Sequence, residues 1–427
     1  MAYDSEATDA TGQRRYRGEG FREESDLRND GGGAHSVIAG MQYRPRATPS
    51  ANLDDVFDDP AHGEVGRDRL GVHFAWEGVL LLGVVAIGFL LHSGHRETIT
   101  GANFKELLVF ASVLGLLGLG ASMTLRAGAV NLALGPVAAA AALYYAEHSA
   151  NGVVPTAGMA VAFAAGLGLV VAVLVVGFHV PGWAGSLAAA LIAVVWIQKH
   201  PAPLTVSGEY DPTGHALYLY GGFAALTIVA GLLGAIRSIR RGVGRFRPVS
   251  DPARRRGGLG GVVAVLALVG SSALAAVAGV VMAALNGTTE QVVAPTEGFE
   301  LTGLALGAAL IGGVSAYGRR GGVFGTLLGV SLLALVVWYA DAAQWHISLY
   351  ALAAGALALG LVVTRLVETF GRPLPLDDDA PDDWSDVGVP GTSWSTGSGD
   401  TWANLPAQPA PARADQWGDE DRWSSLR

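Results

Sequence analysis

Cysteine is absent from the 427-residue chain. That excludes disulfide frameworks, thiolate metal sites and cysteine nucleophiles. Charge is scarce: only 15% of residues are Asp, Glu, Lys or Arg, where a soluble domain carries about 25%. Lysine is nearly missing, with Lys105 and Lys199 set against 26 arginines. There is no Gly-x-x-x-x-Gly-Lys-Ser/Thr stretch to cradle a phosphate and no His-Glu-x-x-His. His92 and His95 sit three apart beside Arg96, and that spacing reads as a solvated loop rather than a metal site. No apolar run precedes residue 74, so no signal peptide is expected and the first span acts as its own insertion signal.

What is abundant is apolar sequence. Hydrophobic residues make up 51% of the chain, with 60 glycines, and the mean hydropathy is +0.37. An ordinary soluble enzyme does not look like this. The net charge of −9 divides unevenly. Residues 74–370 hold 15 basic and 12 acidic residues, whereas 1–73 hold 9 and 14 and 371–427 hold 4 and 11. The middle is slightly positive and the ends are acidic, so no basic surface for nucleic acid is expected.

The ends, 1–73 and 371–427, are too polar and Gly-rich to bury a core and read as disordered tails. The second tail carries five of the ten tryptophans, Trp384, Trp394, Trp402, Trp417 and Trp423. Spaced aromatics in an acidic tail suit either a docking peptide or a plain solvated tail.

A helical span needs about 20 apolar residues. Ten apolar segments qualify or nearly do: 74–92, 104–123, 128–146, 156–178, 184–198, 217–236, 259–284, 301–316, 323–340 and 346–364. Those at 184–198 and 301–316 are short and read as tilted or re-entrant. The expected fold is an all-α polytopic membrane protein of about ten transmembrane helices, some broken or re-entrant, with disordered tails. Positive charge in short loops marks the cytoplasmic side. Loop 237–257 carries eight arginines, Arg319 and Arg320 mark a second inner loop, and loop 285–300 is acidic. Ten crossings then leave both termini cytoplasmic in the plasma membrane, with lipid around the spans.

Ionisable residues at the membrane midplane mark ion-coupled carriers. Glu77, Glu106 and Asp341 fall near expected span ends, and none near a midplane. This disfavours a proton-driven carrier. The polar groups left in the spans are Ser122, Thr124, Asn131, Ser186, Ser271, Ser272, Ser315 and Thr326. They suit a path for a neutral polar solute, or hydroxyls bonded to their own helices. The stretch Arg126-Ala-Gly-Ala-Val-Asn-Leu-Ala-Leu-Gly135-Pro136 places Gly128, Asn131, Gly135 and a proline inside apolar sequence. It predicts an interrupted helix, and unwound backbone in transporters sits beside cargo.

The 126–135 stretch resembles the signature of the membrane permeases of ATP-binding-cassette importers for simple sugars, nucleosides and branched-chain amino acids. Arg-Ala-Gly followed by Asn131 is closer to the nucleoside-type pattern. A second stretch, Ile311-Gly312-Gly313-Val-Ser315 through Gly318, Gly321, Gly325-Thr326 and Gly329, is similar to the family's Gly-Gly-x-Ser-x-x-Gly-x-x-Gly-x-x-x-Gly-Thr-x-x-Gly segment. The resemblance covers about 74–370. It departs at Thr302, where members often carry an acid, with Glu300 two residues earlier. It departs again in the large loop, where only Asp251-Pro252-Ala253 suggests the start of an ATPase-docking helix.

The resemblance implies a permease subunit that is not itself an enzyme. Two permease chains, as homodimer or heterodimer, would form the pathway. Separate ATPase subunits would bind ATP and Mg, so this chain binds no cofactor, and an extracellular solute-binding protein would deliver cargo. Asn131, Ser315 and Thr326 would line the path. Gly128, Gly135, Gly312 and Gly313 would let backbone approach closely. Asp251, Pro252, Arg254, Arg255 and Arg256 would dock the ATPase, or the arginines would serve as topological anchors. The rival reading is a membrane scaffold or regulator built on a permease fold and acting through its acidic tail.

Overall fold

The computed structural model describes residues 70–236, 243, 259–316 and 321–371. Apart from 70–73 and 371, which are helical, and residue 243, both tails and the arginine-rich loop lie outside them, as do Asp251, Pro252, Arg254, Arg255, Arg256, Arg319 and Arg320.

Among the described residues there are ten α-helices. In chain order they are α1 Leu70–Gly94, α2 Gly101–Arg126, α3 Leu134–His148, α4 Val153–Ala172, α5 Gly182–Ile197, α6 Ala216–Ala235, α7 Leu259–Thr289, α8 Phe299–Ile311, α9 Gly325–Ala342 and α10 Leu349–Gly371. Helix α4 runs on into a π turn over Val173–Gly177. Two short strands, β1 Leu204–Thr205 and β2 Val292–Val293, pair antiparallel. Each apolar segment read from the sequence carries one helix.

Seven helices, namely α1, α2, α4, α6, α7, α9 and α10, are long and apolar enough to cross a membrane. The chain has the architecture of a multi-pass helical membrane protein. The other three, α3, α5 and α8, have 15, 16 and 13 residues. At 1.5 Å per residue they rise only about 20–24 Å, short of a hydrocarbon core of about 30 Å.

Burial sorts the helices into layers. In α2, 78% of the apolar window is buried inside the protein, against 17% in α1. All of Glu300–Ile311 in α8 is buried, as is most of α3. Helices α2, α3, α7 and α8 therefore form the centre. The outer helices leave large apolar side chains exposed, among them Leu82, Phe89, Phe163, Trp183, Leu217, Leu361 and Phe370. In water, so much exposed apolar surface would drive aggregation; facing lipid tails, it needs no cover.

Central packing relies on small residues, because lipid offers helices no hydrophobic drive to associate. Gly307 of α8 lies so near Ala356 of α10 that a Cβ on it would come within 2.7 Å of the alanine methyl. Gly279 of α7 lies against the backbone of Ala138 in α3.

Two helix breaks shape the centre. The first, 127–133, separates α2 from α3; the second, described at 312–316 and 321–324, separates α8 from α9. Both begin alike. Ala127, Gly128 and Ala129 N–H donate back to Met123, Leu125 and Thr124, and Gly312, Gly313 and Val314 repeat the pattern on Ala308, Leu310 and Ala309. In each the second residue is a left-handed glycine, Gly128 at φ +70 and Gly313 at φ +78. This is a helix-terminating turn that glycine adopts without a Cβ penalty.

The first break lies upstream of the place that Gly135-Pro136 indicates in the sequence. Pro136 stands in the first turn of α3, where its missing N–H would have had no helical partner anyway. It opens that helix instead of interrupting one.

Candidate functional site

The unwound 127–133 segment is held by side chains from three other helices. Leu132 N–H donates to Ser186 Oγ of α5 at 3.0 Å, and the same hydroxyl lies 3.0 Å from the Val130 carbonyl. Thr302 Oγ1 of α8 accepts from Gly135 N–H at 2.8 Å and donates to the Leu132 carbonyl at 3.2 Å. Asn131 Nδ2 donates to Ser271 and Ser272 of α7 at 2.9 and 3.3 Å. Its Oδ1 accepts from Ala133 N–H at 3.0 Å. Backbone that leaves a helix inside a bilayer needs such partners, since no water is there to supply them.

Thr302 makes chemical sense of one departure from the resembled pattern. A hydroxyl both accepts and donates, whereas an ionised carboxylate only accepts. The carboxylate nearby, Glu300, is buried in the first turn of α8. Its Oε2 has no partner among the described residues.

The second break is held from the first helix. Trp76 Nε1–H donates to the Ile311 carbonyl, the last residue of α8, at 2.8 Å. Next to it, Glu77 Oε1 accepts from Phe324 N–H, at the cap of α9, at 2.8 Å. A carboxylate there meets the partial positive charge of a helix N-terminus. Arg126, the last residue of α2, donates from Nη2 to the Gly322 carbonyl at 2.9 Å. Glu368 of α10 accepts a hydrogen bond from Ser315 Oγ, and Thr364 Oγ1 donates to the Val314 carbonyl. These contacts gather the start of α1, the ends of α2, α8 and α10 and the loop before α9 at one end of the bundle. At the other end Trp338 donates to the Thr98 carbonyl, β1 pairs with β2, and Ser207 N–H donates to Ser149.

The residues read from the sequence fall into place unevenly. Asn131, Ser315 and Thr326 are all buried, at 2–3% exposure. Each spends its polar group on the protein itself; Thr326 Oγ1 lies 3.3 Å from Ser122 Oγ. They fasten the breaks in this conformation. Gly135 and Gly298 meet backbone to backbone, and a Cβ on Gly135 would collide with the Gly298 carbonyl. Gly312 faces Gly325 in the same manner across the second break. Gly128 is exposed and Gly313 lies beside Trp76.

Sequence reading did not select Trp76, Glu77, Thr302 or Glu368, and it quoted Arg126 without giving it a role. An arginine at the end of an apolar run and a carboxylate, Glu77, within another were the local signals. Glu77, placed near a span end from the sequence, lies seven residues inside α1 and is buried. No group of three or more His, Cys, Asp or Glu among the described residues is arranged to hold a metal ion.

No family model, curated protein or solved structure matches the chain.

Proposed function

We propose that this chain is the permease subunit of an ATP-driven importer, moving a small polar solute of sugar or nucleoside type across the plasma membrane by alternating access. One observation carries the reading. The two stretches that resemble the permease signature are the two places where central helices break, and Arg126 at one break is bonded to Gly322 at the other. Broken helices at a bundle's centre give transporters polar backbone for cargo and joints for movement.

In this reading the end of the bundle holding Glu77 and Arg126 faces the cytoplasm, as the arginine-rich 237–257 loop requires, and both termini lie on that side. That loop, with Asp251, Pro252 and Arg254–Arg256, receives motion from ATPase subunits that carry ATP and Mg. A second permease chain completes the pathway, and an extracellular binding protein supplies the solute. Asn131, Ser315 and Thr326 exchange their internal bonds for solute when the breaks rearrange.

The test is purification of the tagged full-length protein in mild detergent. A stoichiometric ATPase whose hydrolysis rises in the complex is the expected result. Recovery of soluble partners only, and only when residues 373–427 are present, refutes the importer and installs the scaffold reading.

A further inference from the structure

Trp76 and Glu77 are neighbours on α1, yet they grip opposite sides of the second break. Trp76 holds the last carbonyl of α8 and Glu77 the amide of Phe324, the residue that caps α9. Arg126 adds the third contact. Its guanidinium lies where glycines leave room: a Cβ on Gly234 of α6 would come 2.6 Å from Nη1, and one on Gly321 would come 2.5 Å from Nη2. At Gly322 a Cβ would collide with the Glu77 carboxylate. The loop 321–324 thus fits around two charged side chains reaching it from different helices. Each of those groups is only half used. Glu77 Oε2 and Arg126 Nε are buried with no hydrogen-bond partner among the described residues. Buried charge with idle hydrogen-bonding capacity is costly, and costly most of all in a membrane. The opposite charges of Glu77 and Arg126 attract each other across the loop, so the two side chains hold it jointly.

We propose that Trp76, Glu77 and Arg126 form a latch at one end of the bundle that locks the two helix breaks to each other. While the latch is closed, the 127–133 segment cannot shift against 321–324 without losing the Arg126–Gly322 bond. Opening it releases both breaks together. The roles are positional, since no cargo contact is involved. The proposal deepens the alternating-access reading, but its test reads the latch without any transport.

The experiment is amide hydrogen exchange by mass spectrometry on the full-length protein in nanodiscs. Arg126→Met keeps an apolar stem and removes the donors. About tenfold faster exchange is expected at 127–133 and also at 321–324, as for loss of the one hydrogen bond that the two breaks share. Exchange at the opposite end, around 204–205 and 292–293, should stay unchanged. Glu77→Gln keeps an acceptor for Phe324 N–H and should stay near the parent, whereas Glu77→Leu should speed exchange at 321–324 and at 127–133 alike. Faster exchange confined to 127–133 in Arg126→Met, or no change at either break, overturns the latch. Should Arg126→Met fail to fold, Trp76→Phe decides, because it deletes a single donor and keeps a ring. Faster exchange at both breaks upholds the latch, and a rise limited to 312–314 refutes it. A closed, coupled latch in a protein that recruits no ATPase would sink the importer and leave the latch standing.

Discussion

Asn131 offers the sharpest test of whether the first break is fastened by side chains. Asn131→Ala removes two bonds to α7 and the one that Oδ1 accepts from Ala133 N–H. Bonds between helices in a membrane average ~0.6 kcal/mol each. A buried N–H left without a partner costs ~1–3 kcal/mol more. The loss should be about 2–4 kcal/mol, dominated by the orphaned amide. Equilibrium unfolding by SDS in mixed micelles, followed by far-ultraviolet circular dichroism, measures it. A cycle with Ser271→Ala plus Ser272→Ala isolates the parts. In that background Asn131→Ala should lose only the Ala133 share, so the two changes should be less than additive. A destabilisation under about 0.5 kcal/mol, the size of an ordinary surface change, refutes the fastening role. Altered solute preference at unchanged stability would instead make Asn131 a cargo contact in the resting conformation.

Thr302→Val should lower stability by about 2 kcal/mol by stranding Gly135 N–H and the Leu132 carbonyl, while Thr302→Ser stays near the parent in the same titration. Gly135→Ala drives a methyl into the Gly298 carbonyl and should destabilise by about 1–3 kcal/mol through overpacking; an unchanged midpoint would show that α3 and α8 part easily. Gly128→Ala, at φ +70, should lose about 1–2 kcal/mol to left-handed strain, less than Gly135→Ala because Gly128 is exposed. Removing residues 373–427 should leave solute uptake into proteoliposomes, reconstituted with the co-purifying ATPase, at the full-length rate. A loss of uptake argues that the acidic tail acts in transport.

Local sequence contained most of the helix plan. Apolar runs predict helices because a helix satisfies its own backbone, and all ten runs hold one. The ends moved where polar punctuation was misread. The 128–146 run became α3 at Leu134–His148, because the chain turns at Gly128 and restarts at Leu134. The 301–316 run ended at Ile311 for the same reason at Gly313. Glycine, asparagine and proline told where the chain breaks, but not on which side of each residue.

What the sequence by itself determined was a many-helix membrane protein interrupted at one glycine-bearing stretch, 126–136; the second break was visible only in the structure. Hydropathy and small-residue content act along the chain, so they can be read along it. Tertiary structure alone decided what the polar residues do. Trp76 and Glu77 find partners 235 and 247 residues away, and Thr302 finds its own 167 and 170 residues away. No local period marks such pairs. They form because unwound backbone in an apolar interior must be satisfied by whichever side chain the packed helices bring within about 3 Å.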